Sequence, residues 1–93
     1  MNNVIDNPAR QRYELEIAGQ IAFINYQRAA GVVTMTYAKV PAELNGQGIG
    51  SMLVKGALQL ARAQGEQVVP LCSFIAAYMD RHPEYSDLLA GAK

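Results

Sequence analysis

The six residues Asn45-Gly46-Gln47-Gly48-Ile49-Gly50 constrain this chain more than any other stretch. They follow a strand-like run ending Lys39-Val40-Pro41 and open a segment with helical periodicity. A glycine permits positive φ and lets a ligand approach a backbone that carries no Cβ. The first amides of a helix have no intrahelical acceptor and sit at the positive end of its dipole. The N–H groups between Gln47 and Ser51 are therefore expected to converge, and such a turn suits phosphate.

The rest of the chain says what this turn connects. Arg12 to Ile17 alternates, with Tyr13, Leu15 and Ile17 on one side and Arg12, Glu14 and Glu16 on the other, which reads as a half-buried strand. Ile21 to Tyr26 forms a second strand after the turn Ala18-Gly19-Gln20, and Val32 to Val40 a third, ended by Pro41. The helix is expected over about 48–64, with Ile49, Met52, Leu53, Ala57 and Leu60 on its apolar face and Gly65 as a left-handed C-terminal cap. Gln67 to Cys72 reads as a fourth strand interrupted by Pro70. Ser73 is placed to cap a second helix over about 74–81, ended by His82-Pro83, and Asp87 to Ala90 reads as a last helical turn. Residues 1–11 are polar, lack periodicity and read as a late-ordering or frayed lead-in. The order is β-β-β-α-β-α in an α+β fold with a mixed, mainly antiparallel sheet. Its third and fourth strands are parallel, joined by a right-handed crossover.

Composition narrows the function. The 93 residues suit one domain, and 51% hydrophobic against 17% charged residues is ordinary for a globular chain. Eight acidic and eight basic residues cancel, so neither a nucleic acid nor an anionic membrane is an expected partner. The five tyrosines show no interleaved arginines of the kind that stack bases. From Ala18 to Gly65, however, Arg28, Lys39, Lys55 and Arg62 face only Glu43, which suggests a positive bias around the glycine turn. One cysteine and one histidine cannot make a metal site, and Cys72 has no disulfide partner. No run approaches the ~20 apolar residues that span a bilayer. The segment Met1 to Pro8 lacks a secretion-signal layout, so a cytoplasmic setting is expected. A P-loop does not fit, because no Gly-Lys-Ser/Thr follows the glycines.

Val40-Pro41, the glycine turn and Leu53-Val54 together resemble the acetyl-coenzyme A signature of GNAT-type N-acetyltransferases. That signature is Arg or Gln, two variable residues, Gly, one variable residue, then Gly or Ala. Gly48 and Gly50 fill its two small positions, and Asn45 stands where Arg or Gln is usual. The stretch Val69-Pro70-Leu71-Cys72-Ser73-Phe74-Ile75, with Tyr78 and Arg81-His82-Pro83-Glu84-Tyr85, is similar to a subfamily of very small GNAT-like proteins. That subfamily commonly has His-Thr-Glu-Val-Pro before the turn, where this chain has Tyr37-Ala38-Lys39-Val40-Pro41.

The resemblance implies that acetyl-CoA is the cofactor and an unidentified amine the acceptor. It implies that the third and fourth strands splay, with pantetheine between them and Pro70 helping to end their pairing. Val40, Asn45, Gly46, Gln47, Gly48, Ile49, Gly50 and Ser51 become the cofactor-binding residues, with the Val40 N–H polarising the acetyl carbonyl. Two residues are candidates for the chemistry. Cys72, beside a helix N-terminus, is either a nucleophile or a small buried hydrophobe. Tyr78 is either the acid that protonates the departing thiolate or a core aromatic. His82 is better placed to cap carbonyls than to catalyse. The absent His-Thr-Glu triplet leaves two functions open: amine acetylation by direct attack, or a non-enzymatic module that retains the fold.

Overall fold

Tyr13 and Leu15 are buried, as are Ala22, Ile24 and Tyr26 across from them and Val33 and Met35 on the next strand. These period-two positions give the sheet one apolar face, and the helices pack there. The computed structural model describes residues 4–44 and 46–91. Five strands lie in sequence order: β1 (Ile5–Asn7), β2 (Arg12–Ile17), β3 (Gln20–Ala29), β4 (Val32–Lys39) and β5 (Gln67–Pro70). The first four are antiparallel neighbours, and β5 runs parallel to β4. Helix α1 (Ile49–Ala63) makes the crossover, α2 (Ser73–Arg81) follows β5, and 3-10 turns cover Ala42–Leu44 and Pro83–Leu88. The fold is α+β with a mixed sheet, as expected.

Helix α1 buries Ile49, Leu53, Val54, Ala57, Leu58 and Ala61, the stripe its periodicity demands. It ends as expected: Gly65 has φ +71°, and the Glu66 N–H donates back to the Ala61 carbonyl at 2.9 Å. Helix α2 contributes Ile75, Tyr78 and Met79 to the same core.

Four expectations are corrected. The lead-in holds a strand, since Ile5 to Asn7 pair with Arg12 to Glu14. Three residues are too few to show alternation, and a side chain anchors them: Asp6 accepts from the Tyr26 hydroxyl and, at 2.9 Å, from Arg28. The second strand extends to Ala29, because Arg28 on its inner side meets Glu66 at 2.6 Å and the Tyr26 hydroxyl at 3.0 Å. Ser73 is the first residue of α2 rather than its cap; Cys72 is the N-cap, and its carbonyl accepts the Ala76 N–H at 3.0 Å. The last helical turn is a 3-10 turn at Pro83–Leu88, while Leu89 bridges Val68 and the Ala90 N–H donates to the Val68 carbonyl at 2.9 Å.

Candidate functional site

The parallel ladder between β4 and β5 runs from Val32↔Gln67 to Met35↔Pro70 and stops there. Two irregularities coincide at that point. On β4, Asn25 of β3 faces Tyr37 while Tyr26 faces Met35, so Thr36 is an extra, bulged residue. A bulge bends its strand and sharpens the local twist. Its hydroxyl donates to the Asn25 carbonyl at 3.3 Å. On β5, Pro70 has no N–H to offer. The next two amides, Leu71 and Cys72, both turn back to the Met35 carbonyl, at 3.0 and 3.3 Å. The strands therefore form a fork with Met35 and Pro70 at its junction. One arm is residues 36–40, whose only strand partner among the described residues is β3; the other leads through Leu71 and Cys72 into α2.

The glycine turn lies at the open end of the β4 arm. Gly46 has φ +81° and Gly48 φ +72°, whereas the intervening Gln47 keeps the ordinary sign. Alternating signs of this kind turn successive N–H groups into one concavity, an anion-binding nest. Gly48 is the N-cap of α1 and supplies no capping side chain. The helix ladder starts with the Met52 N–H donating to Gly48 at 3.1 Å, so Ile49, Gly50 and Ser51 are first-turn amides with no acceptor inside the helix. Open space surrounds a Cβ direction at both Gly46 and Gly48. An open depression of ≈ 270 Å³ sits here, lined by Val40, Leu44, Gly46, Gly48, Ile49, Gly50, Ser51 and Phe74.

The structure thus brings six of the eight cofactor-binding candidates to one cavity wall. Gln47 is exposed on the same turn but does not line the cavity, and Asn45 lies outside the described residues. Gly50 differs from the other two glycines. Its φ is helical, and its missing Cβ makes room for the Phe74 ring. No sequence reasoning placed Phe74 in the site, although an aromatic opening the helix after a proline-broken strand was a usable signal. Thr36 was missed too, because β-branched residues on both sides of the strand hide a one-residue insertion.

The chemical candidates are not gathered in that cavity. Cys72 is half-buried at the fork junction, joined to Met35 through its amide. Tyr78 is 4% exposed and stacks on His82, ring centroids 3.9 Å apart, with Tyr85 beyond at 6.3 Å. Burial, then the charges of Tyr85 and Glu84, raises the Tyr78 pKa, so the phenol keeps its proton. His82 lies 3.7 Å from the Glu84 carboxylate, at the far end of α2. The positive bias suggested for the turn is corrected. Arg28 is neutralised by Asp6 and by Glu66, and Glu66 falls one residue past the stretch in which cations outnumbered anions. Arg62 sits in the last turn of α1, bound to Asp87 at 2.8 Å and to the Glu84 carbonyl at 2.8 Å. Lys39 and Lys55 remain, both exposed. Lys55 follows Ser51 by four residues, so it stands on the Ser51 side of α1.

No curated protein matches the chain. The solution structure of a GCN5-like protein from Staphylococcus aureus superposes with a TM-score of 0.71 at 21% identity, over 98% of this chain and 90% of that one. The family model described as GCN5-related N-acetyl-transferase matches residues 12–88, most of the chain and all of the site. The forked parallel pair, the uncapped glycine turn and that match agree: this chain belongs to the GCN5-related N-acetyltransferase family.

Proposed function

We propose that the chain binds acetyl-CoA and passes its acetyl group to an amine. One observation supports this best: a sheet that opens at Thr36 and Pro70 directly before a helix whose N-cap, Gly48, offers its first amides no side chain. The residues fit the ligand, because the nest offers N–H donors to a diphosphate and a Cβ at Gly48 would stand in the open cradle. Val40, Gly46 to Ser51 and the loosened edge of β4 would hold it. Bound acetyl-CoA supplies an activated thioester. The β4 main-chain amides align the linker and polarise the acyl carbonyl. Lys39 and Lys55 are the cations within reach of the turn by their position in the chain.

Among the described residues, no carboxylate, imidazole or ammonium lines the cavity. The attacking amine would then arrive deprotonated or lose its proton to water, and the rate would follow the acceptor's own ionisation. Cys72, at the fork junction, is the nearer of the two candidates for a side-chain role; Tyr78 is enclosed between His82 and Tyr85. The same lack of a base supports a second reading, a binding module without turnover. Calorimetric titration with acetyl-CoA, followed by mass spectrometry of an amine and peptide panel, separates them. Binding with one acetylated acceptor supports the enzyme, and binding without product supports the module. A flat titration at millimolar ligand removes both.

A further inference from the structure

The fork has two chemically different ends. Its outer end is the nest of main-chain N–H groups, suited to an anion. Its inner end is apolar and unusually exposed. Of the five large hydrophobic side chains exposed among the described residues, two flank its junction: Leu71 at 65% and Tyr37 at 50%, whose ring centroid lies 6.3 Å from that of Phe23. Isolated exposed hydrophobes need no explanation, but a pair of them beside a binding cleft points to an apolar occupant. Tyr37 is the first residue after the bulge, and Leu71 is the first after the last paired residue of β5. They therefore flank the junction itself. From Thr36 to Val40 are four residue steps, about 13 Å of extended strand at ~3.3 Å each. That distance separates the apolar end from the anion-binding end.

We infer that the inner end of the fork accepts unbranched acyl chains longer than acetyl, from butyryl to octanoyl. This rests on the acyl-CoA reading above and adds the class of acyl donor. The competing occupant is the acceptor amine. An ammonium would be expected to meet a carboxylate, and none of Thr36, Tyr37 and Leu71 carries one. An acyl chain asks only for apolar walls, and the polarity of the fork matches a ligand with phosphates at one end and hydrocarbon at the other.

Calorimetric titration of the full chain with CoA, acetyl-, butyryl-, hexanoyl- and octanoyl-CoA tests this, repeated on Leu71→Ser and Tyr37→Ser. Both positions are exposed enough for polar substitution to leave the fold intact. Full burial of a methylene is worth about fourfold in affinity, and half-exposed walls should give about twofold. From acetyl to hexanoyl, four methylenes, the wild-type affinity should thus rise about sixteenfold. The ratio between hexanoyl- and acetyl-CoA should fall in both variants. Equal affinity for acetyl and hexanoyl donors overturns the inference and leaves the acetyl-CoA reading standing, as does a gradient that survives both substitutions. Failure of CoA itself to bind removes the two together.

Discussion

A Cβ on Gly50 would come 2.9 Å from Cζ of Phe74 and 3.6 Å from Cγ2 of Val40. The obstacle is the far end of a half-exposed ring, which can swing aside. Alanine also gains about 1 kcal/mol over glycine inside a helix. The two effects oppose each other, so Gly50→Ala should change stability by less than about 1 kcal/mol, a few degrees in Tm. The displaced ring narrows the cavity, and acetyl-CoA affinity should fall severalfold. Calorimetric melting and ligand titration on one preparation check both halves.

Gly48 is held by conformation rather than by space. Its φ of +72° with nothing within 4 Å means that a side chain fits but most residues are strained. Asparagine tolerates the left-handed region better than other non-glycine residues. Gly48→Asn should therefore fold within about 1–2 kcal/mol of the parent. With a side chain standing over the first amides of α1, acetyl-CoA binding should weaken at least about tenfold, about 1.4 kcal/mol. Unchanged affinity would place the diphosphate elsewhere.

Removing Thr36 tests the fork. Asn25 stays opposite Tyr37 and Tyr26 opposite Met35, so the inner and outer faces of β4 are preserved. Only the bend is lost. The shortened chain should retain its circular dichroism and urea midpoint while losing acetyl-CoA binding in titration. Retained binding would mean that Pro70 alone keeps the strands apart.

Arg28 ties three elements that are far apart in sequence: Asp6 of β1, Tyr26 of β3 and Glu66 after α1. Burial alone would lower its pKa, but the hydrogen bonds it donates to both carboxylates outweigh that and hold it well above the usual value. Arg28→Ala leaves the buried Glu66 and the half-buried Asp6 without their shared cation. The loss should be about 2–3 kcal/mol, below the fully buried case because the guanidinium is partly wet. Urea denaturation measures it, and hydrogen exchange should show β1 opening first.

Alkaline pH should act on the buried phenols. Burial first, then the Asp6 hydrogen bond, pushes Tyr26 from 10.0 up to about 12. A pKa raised by folding contributes stability that is intact below the unfolded value and lost as pH climbs through the folded one. Urea midpoints should therefore hold steady from neutral pH to about 10 and decline beyond it. In Tyr26→Phe the decline should be shallower. A midpoint indifferent to pH up to about 11 would contradict the assignment.

The readable parts of the sequence were those with a strong local rule. Alternation at Tyr13 and Leu15, the stripe from Ile49 to Ala61, and Gly65 after a helix each have one physical reading, and the structure has them. The glycine turn was readable because three glycines between strand and helix have few other uses. What stayed hidden depended on distant partners. β1 exists because Asp6 reaches Arg28, 22 residues away. The charges around the turn looked favourable in one dimension, yet Arg28 and Arg62 are bound to carboxylates elsewhere. The role of Phe74 became visible only when α2 was placed against α1. A one-residue bulge at Thr36 leaves almost no trace in a run of β-branched side chains.

The outer edge of β5 is closed by the chain's own tail, through Leu89 and the Ala90 amide. Shortened before Leu89, the chain would expose a raw strand border, the template on which filaments grow. Such a truncation should yield aggregates rather than a smaller working protein, so Leu89 and Ala90 guard the border of the sheet.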